Sequence, residues 1–103
     1  MSAEDLHVEM NTDTGRFEVR LGGETAFAEY RLEGDSIVFP HTVVPEYFGG
    51  KGVGSRLVQA GLAYAAEHKL WVRPVCPFFK AYIAKRPELH DMVHPDMRAA
   101  LTA

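Results

Sequence analysis

The sequence has little cysteine and no long apolar run, and both shortages limit what the protein can be. Its 103 residues include one cysteine, Cys76, so no disulfide can form within the chain. No stretch of roughly 18 uncharged apolar residues occurs, and the acidic residues 1–5 lack the apolar segment of a signal peptide. We therefore expect a cytoplasmic protein without a membrane span or a membrane partner.

Positive charge is scarce in the first half of the chain. Residues 1–50 carry three basic and ten acidic residues, a net of −7, whereas residues 51–103 carry eight basic and four acidic residues, a net of +4. Because nucleic-acid-binding proteins generally present a basic surface, the acidic half argues against a nucleic-acid partner. The basic half suits a small polyanion, although a chance distribution of solvated charge would give the same totals.

The composition predicts one small globular domain. Apolar residues make up 47% of the chain and charged residues 24%, which is too apolar for a disordered protein. A chain of this length supports one core and one ligand cleft. We expect residues 1–103 to form a single domain with its core in about 7–94, and a monomer is the expectation for the oligomeric state.

Alternating apolar residues in the first half predict an antiparallel meander of four strands. The strand-like segments are 7–11, 16–21, 26–32 and 36–44, the last interrupted by Pro40. Gly22-Gly23 marks a hairpin turn between the second and third strands.

The second half predicts a helix, a strand and a helix. Apolar or small residues recur at three- and four-residue spacing over the first helix, at Val53, Leu57, Val58, Gly61, Leu62 and Ala65. Residues 70–76 form a short apolar strand, and a second helix with the stripe Phe78, Phe79, Tyr82 and Ile83 follows Pro77. The predicted fold class is α/β, with a mixed sheet of about five strands.

The strongest local motif is the glycine-rich segment 49–55 between the fourth strand and the first helix. Glycines allow close approach of a ligand, and a helix N-terminus favours anions, so the segment is typical of a phosphate or pyrophosphate site. A Walker A loop is excluded because Gly52, and not Ser or Thr, follows Lys51. A dinucleotide fingerprint is excluded by Ser55 at its third glycine position. A flexible strand–helix connection without a ligand is the alternative.

The residues around this segment resemble the GNAT superfamily of N-acetyltransferases. Val44-Pro45-Glu46 followed by the segment 50–55 is similar to the acyl-CoA pyrophosphate loop, with Gly52 and Gly54 at its two small positions. Gly49 stands where that loop usually has Arg or Gln. His41-Thr42, the segment 75–78, Ala81-Tyr82 and the segment 86–88 narrow the resemblance to the small YjdJ-type branch, over roughly residues 7–94.

The resemblance implies an acetyl-CoA or CoA cleft between the fourth and fifth strands, and no metal. The pantetheine arm would pair with main-chain groups near Thr42, Val43 and Val44. The pyrophosphate would lie on the amides of Gly49, Gly50, Lys51, Gly52, Val53, Gly54 and Ser55. Lys51, Lys80, Lys85 and Arg86 would hold the adenosine-side phosphates, unless they are ordinary solvated charges.

Three residues are candidates for catalysis. Cys76 precedes the second helix, where a thiol can become a nucleophile, although a buried residue lining the cleft fits as well. His41 is the candidate general base, because imidazole can accept a proton near neutral pH. Alternatively, its only role is to hold the break in the fourth strand through a backbone hydrogen bond. The resemblance implies that Tyr82 protonates the departing thiolate, although its place on the apolar stripe also suits a core residue.

Two functions follow from the resemblance. The first is an acetyl-CoA-dependent N-acetyltransferase acting on an unidentified amine, either a small molecule or a protein. The second is a CoA-binding module with little or no catalysis. A plain phosphate- or nucleotide-binding module is a third interpretation, which depends on the glycine-rich segment alone.

Overall fold

Short strands dominate the first half of the protein, and helices dominate the second. The computed structural model describes residues 7–48 and 52–101. The strands are β1 (Glu9–Asn11), β2 (Arg16–Leu21), β3 (Glu24–Glu29), β4 (Arg31–Glu33), β5 (Ser36–Val38), β6 (Thr42–Val43) and β7 (Trp71–Arg73). The helices are α1 (Val53–Glu67) and α2 (Pro77–Ala84), with 3₁₀ segments at Glu46–Phe48, Pro87–Met92 and Pro95–Leu101.

The N-terminal strands form the expected antiparallel meander. β1 pairs with β2, and β2 pairs with β3 through the two-residue turn at Gly22 and Gly23. Both glycines have positive φ, 60° and 85°, as a type I′ hairpin turn requires. The alternation buries Phe17 and Val19 on the face that α1 covers. The α/β fold class is confirmed.

The prediction of a single sheet is wrong, because each of two predicted strands is divided. The segment 26–32 breaks at Tyr30, whose N–H donates to Gly15 O at 2.9 Å. The segment 36–44 breaks at Pro40, which has no N–H to continue a ladder. The strands therefore form two sheets, ordered β1-β2-β3-β6 and β4-β5-β7, in which β5 and β7 are parallel.

The helices pack around two stacked phenylalanines. The predicted stripe of α1 is buried from Val53 to Ala65, as expected. In α2 only Phe79 and Ile83 are buried, and Phe78 is 42% exposed, so the predicted stripe is narrower than expected. Phe39 and Phe79 stack with ring centroids 4.2 Å apart. The core also includes Leu101, beyond the predicted limit of about 94.

Gly61 lets α1 approach this stack. A Cβ at Gly61 would lie 2.8 Å from two atoms of the Phe39 ring and 3.4 Å from the Phe79 ring. Phe39 is fully buried, so its ring has little space to yield. The close approach of helix and rings therefore depends on the absence of a side chain at this position.

We expect Gly61→Ala to lower the free energy of unfolding by about 1–3 kcal/mol, because overpacking outweighs the helix propensity that alanine adds. Urea unfolding of both proteins measures the difference. The double variant Gly61→Ala, Phe39→Leu is the control, since a smaller side chain at position 39 relieves the conflict. A gain in stability from Gly61→Ala alone would contradict this packing.

Candidate functional site

The parallel strands β5 and β7 separate at Phe39 and Cys76. Phe39 N donates to Arg73 O at 3.1 Å, and Cys76 N donates to Phe39 O at 2.8 Å. Beyond this bond, β6 turns away to pair with β3, and the chain after Cys76 enters α2. β6 is the last strand of its sheet, so one of its edges has no strand partner there. Its backbone groups on that edge are positioned to bind an extended ligand.

A thiol and a hydroxyl meet where the strands separate. The Cys76 thiol donates to Thr42 Oγ1 at 3.2 Å, and Cys76 is only 4% exposed. Thr42 pairs with the buried Ala28, which places its side chain on the core side of β6. The contact therefore bridges β6 and the start of α2 across the opening.

The N-terminus of α1 borders a cavity of about 250 Å³ close to this opening. Its lining consists of Val44, Phe48, Gly52, Val53, Gly54, Ser55 and Phe78. The first bond within the helix runs from Arg56 N to Gly52 O, at 3.1 Å, so the N–H groups of residues 53–55 precede it. Gly52 is the N-cap residue, and within the described part of the chain no side-chain hydrogen bond caps this end of α1. These amides and the helix dipole together favour an anion.

Two glycines shape this cavity in different ways. Gly52 has a φ of 70°, and a Cβ there would meet nothing within 4 Å. A Cβ at Gly54 would lie 2.7 Å from Phe78 Cε2, so glycine at this position makes room for the Phe78 ring. Sequence reasoning missed Phe78 as a site residue, since its apolar spacing indicated the core.

A second cavity, also about 250 Å³, lies between α1 and α2. It is lined by Ser55, Phe78, Ala81, Tyr82, Lys85 and Arg86, and it shares Ser55 and Phe78 with the first cavity. The Arg86 guanidinium lies 3.7 Å from the centre of the Tyr82 ring and donates to Tyr82 O at 3.0 Å. Two adjacent anion-favouring cavities therefore meet at Ser55 and Phe78.

Comparison with known proteins identifies the family to which this geometry belongs. The sequence pattern of the GCN5-related N-acetyltransferase family matches residues 16–92, which is more than half of the chain. The chain belongs to this family.

Similar proteins support the assignment. Protein NATD1 of Mus musculus is 31% identical over 85 residues, covering 80% of this chain and 77% of the mouse protein. Protein NATD1 of Homo sapiens is also 31% identical over 85 residues, covering 80% of this chain and 75% of the human protein. The solution NMR structure of a GCN5-like protein from Staphylococcus aureus superposes with a TM-score of 0.69 at 27% identity, covering 91% of each chain. These similarities confirm a small GNAT protein.

The three catalytic residues predicted for this GNAT chain have different neighbours. Cys76 contacts Thr42, whereas the Tyr82 hydroxyl accepts a hydrogen bond from Gln59 Nε2 at 3.2 Å. His41 is exposed, and its carbonyl accepts from Glu29 N at 2.8 Å. Because His41 directly precedes Thr42, its ring lies on the opposite face of the sheet, 6.4 Å from the Phe27 ring. The catalytic roles of these residues stay predictions.

The predicted CoA-binding residues lie in several parts of the described structure, and three of them lie outside it. Val44, Gly52, Val53, Gly54 and Ser55 line the first cavity, and Lys85 and Arg86 line the second. Thr42 and Val43 form β6, while Lys80 lines neither of these two cavities. Gly49, Gly50 and Lys51 lie outside the described residues.

Within residues 7–48 and 52–101, no helix is both long and apolar enough to cross a membrane. In the same part of the chain, no three histidine, cysteine, aspartate or glutamate side chains are grouped as a metal site would require.

Proposed function

We propose that this protein transfers an acetyl group from acetyl-CoA to an amine of a small molecule or a protein. The observation that carries the proposal is the separation of β5 and β7 at Phe39 and Cys76, beside the uncapped N-terminus of α1. In a chain of the GNAT family, this combination supports an acyl-CoA site. The donor thioester supplies an activated acyl group, and the protein binds it and positions the amine.

The residues present fit such a donor. The amides of Val53, Gly54 and Ser55 would bind the pyrophosphate, since they face a cavity at a helix N-terminus. The free edge of β6 would hold the pantetheine amides, because backbone N–H and C=O groups there lie outside the sheet ladder. The acyl group would then lie near Thr42 and Cys76, where the two strands separate.

The acceptor amine must lose a proton when it attacks the thioester, and nearby groups suggest where that proton goes. The amine nitrogen attacks the thioester carbonyl, the carbon–sulfur bond breaks, and the amine proton must be removed. His41 is exposed on the face of the sheet away from the Thr42–Cys76 contact, so we propose that a water molecule takes this proton and that His41 could accept it only through such water. Tyr82 accepts from Gln59, which leaves its own hydroxyl hydrogen for donation to the thiolate.

Direct transfer fits Cys76 better than a covalent intermediate. Its thiol is buried and donates to a hydroxyl, which does not activate sulfur as a neighbouring base would. We therefore propose that Cys76 lines the acyl position and that the acetyl group moves to the amine in one step.

A CoA-binding module with little catalysis is the second candidate. It is favoured by the separate neighbours of Cys76, His41 and Tyr82, which do not form one hydrogen-bonded group among the described contacts. Thiol release from acetyl-CoA in the presence of a panel of amines separates the two functions. Turnover with any amine supports the transferase, and stoichiometric binding without turnover supports the module.

Binding of the donor is tested by thermal unfolding. At a concentration of 100 times its dissociation constant, CoA should stabilise the protein by about 2.7 kcal/mol and raise the melting temperature. We expect ATP and NAD to have smaller effects, because neither carries a pantetheine arm for the edge of β6. Stabilisation by ATP or NAD without stabilisation by CoA would refute the proposed function.

A pair of charge reversals gives the matched control for this binding. Lys51→Glu should weaken CoA binding more than Lys69→Glu, since Lys51 lies in the glycine-rich segment and Lys69 follows the far end of α1. Equal losses in the two variants would indicate diffuse attraction by net charge instead of a local site.

Cys76→Ala distinguishes the two catalytic routes. For direct transfer, we expect turnover to stay within about tenfold of wild type and stability to fall by about 1–2 kcal/mol from lost packing. Steady-state kinetics and urea unfolding measure the two effects. A loss of several orders of magnitude, together with an acetyl adduct on Cys76 that passes to amine as fast as turnover, would establish the covalent route.

A further inference from the structure

A row of titratable side chains crosses the face of the β1-β2-β3-β6 sheet that lies away from the core, which is the outer face. Arg16 pairs with Glu29 across β2 and β3, and Glu29 N donates to His41 O at 2.8 Å. Because their neighbours Phe17 and Ala28 are buried in the core, Arg16 and Glu29 direct their side chains to the outer face, where the His41 ring also lies. His41 directly precedes β6, so the row ends at the gap where the acyl group is proposed to lie.

The Arg16 guanidinium forms no hydrogen bond with any described residue. Its Nε is buried without a partner, and its Nη1 lies 3.9 Å from Glu18 Oε2, which is too far for a hydrogen bond. The group stacks on Phe27, with Cζ 4.1 Å from the ring centre, and this stack limits the motion of the planar fork. A fixed cation with unused donors is suited to a carboxylate, which accepts two parallel hydrogen bonds from such a fork.

Neither carboxylate beside Arg16 occupies these donors. The Glu18 carboxylate already accepts three hydrogen bonds, from Asn11, Thr14 and Arg20 at 3.2, 3.2 and 2.9 Å. Glu29 lies directly across from Arg16, but the two side chains form no ion pair, since the guanidinium lies over Phe27. Glu29 is half-buried, and its carboxylate has no hydrogen bond or ion pair with the described residues. An adjacent cation and carboxylate therefore face a ligand that carries both opposite charges.

Packing makes the outer face the open approach to the acyl group. On the core side of the gap, Phe39 and Phe79 are fully buried and Cys76 is 4% exposed. A pantetheine arm along the edge of β6 would lie in the plane of the sheet, so an amine reaches its thioester from one face or the other. Because side chains fill the core side, the acceptor passes over the outer face.

Strand spacing sets the length of the acceptor. Neighbouring strands lie about 4.8 Å apart, so a thioester beside β6 is about 10 Å from Phe27 on β3, where the guanidinium lies. An extended chain of six bonds spans about 7 Å, and the contact with the guanidinium adds about 3 Å. The half-buried Val43 pairs with Phe27 and gives such a chain an apolar surface between its two ends. An α-amino group lies only two bonds from its own carboxylate and cannot reach both positions.

We propose that the acceptor is a free diamino acid of about the length of lysine, whose α-carboxylate binds Arg16 and whose α-ammonium binds Glu29. This proposal rests on the proposed function and names the class of its acceptor. The side-chain amine gives a proton to water and attacks the thioester carbonyl. The carbon–nitrogen bond forms, the carbon–sulfur bond breaks, and the thiolate takes up a proton. The products are an amino acid acetylated on its side-chain nitrogen and CoA.

Thiol release from acetyl-CoA with four acceptors tests the proposal on the wild-type protein. The acceptors are lysine, 6-aminohexanoic acid without the α-ammonium, 1,5-diaminopentane without the carboxylate, and a peptide with one internal lysine, which has neither free group. We expect kcat/KM for lysine to exceed that for each of the others by at least about tenfold, as one charge-assisted contact gives. Mass spectrometry of the product should place the acetyl group on the side-chain nitrogen.

Two charge-removing variants assign the two contacts separately. Arg16→Gln should abolish the preference for lysine over 1,5-diaminopentane and keep the preference over 6-aminohexanoic acid, because only the carboxylate contact is lost. Glu29→Gln should have the converse effect. Arg31→Gln is the matched control, since it removes the same charge from β4 in the other sheet, where Arg31 pairs with Glu33 at 3.0 Å. It should leave both preferences unchanged.

The outcomes separate this proposal from the proposed function. Acetylation of another amine at equal or greater kcat/KM than lysine overturns the acceptor class and leaves the acetyltransferase standing. Preferences that survive both Arg16→Gln and Glu29→Gln overturn the roles of these residues, and a loss of stability alone would show that they only pair with each other. Absence of turnover with every amine overturns the proposed function together with its acceptor. Urea unfolding of each variant shows that it is folded, and the wild-type comparison needs no variant.

Discussion

The hydrogen bond from Cys76 N to Phe39 O lies just past the ends of the parallel strands β5 and β7, and the arrangement of the site follows from its position. Pro40 comes directly after Phe39, in the stretch between β5 and β6, and these two strands belong to different sheets. β6 then joins the meander, while α2 begins at Pro77. A gap with a free strand edge on one side results beside the N-terminus of α1. The separation thus lies where the chain segments after Phe39 and Cys76 lead to different elements.

Stacked aromatic rings hold the elements on the two sides of the gap together. Phe39 lies on Phe79 at 4.2 Å, which joins the strand before the gap to the helix after it. Gly61 allows α1 to approach both rings, and Gly54 allows Phe78 to lie against the first turn of α1. The helix that presents the anion-favouring amides is therefore fixed relative to the strand that presents Thr42. Such preorganisation reduces the entropy lost when a ligand binds.

Sequence patterns predicted the elements better than the contacts between them. The alternation over 16–21 and the 3.6-residue period over 53–65 depend on local burial, so both were readable from the chain. The division into two sheets depends on the antiparallel pairing of β3 with β6 and the parallel pairing of β5 with β7, which join distant residues that no local pattern reports.

The position of Phe78 also depends on contacts between distant residues, because its apolar character predicts burial but its ring lines two cavities. The Arg86–Tyr82–Gln59 contacts likewise require α1 and α2 to meet. The glycine-rich segment was recognisable because the binding predicted for it would depend on backbone amides of consecutive residues.

The proposed function requires CoA to bind along β6 and at the start of α1. Titration of the ¹⁵N-labelled protein with acetyl-CoA, followed by backbone amide chemical shifts, tests this claim residue by residue. We predict the largest changes at Val53, Gly54 and Ser55, at residues 42–44, and at Cys76 and Arg86. Changes confined to the exposed turns of the β1–β3 meander, with the amides of residues 53–55 unmoved under saturating acetyl-CoA, would contradict it.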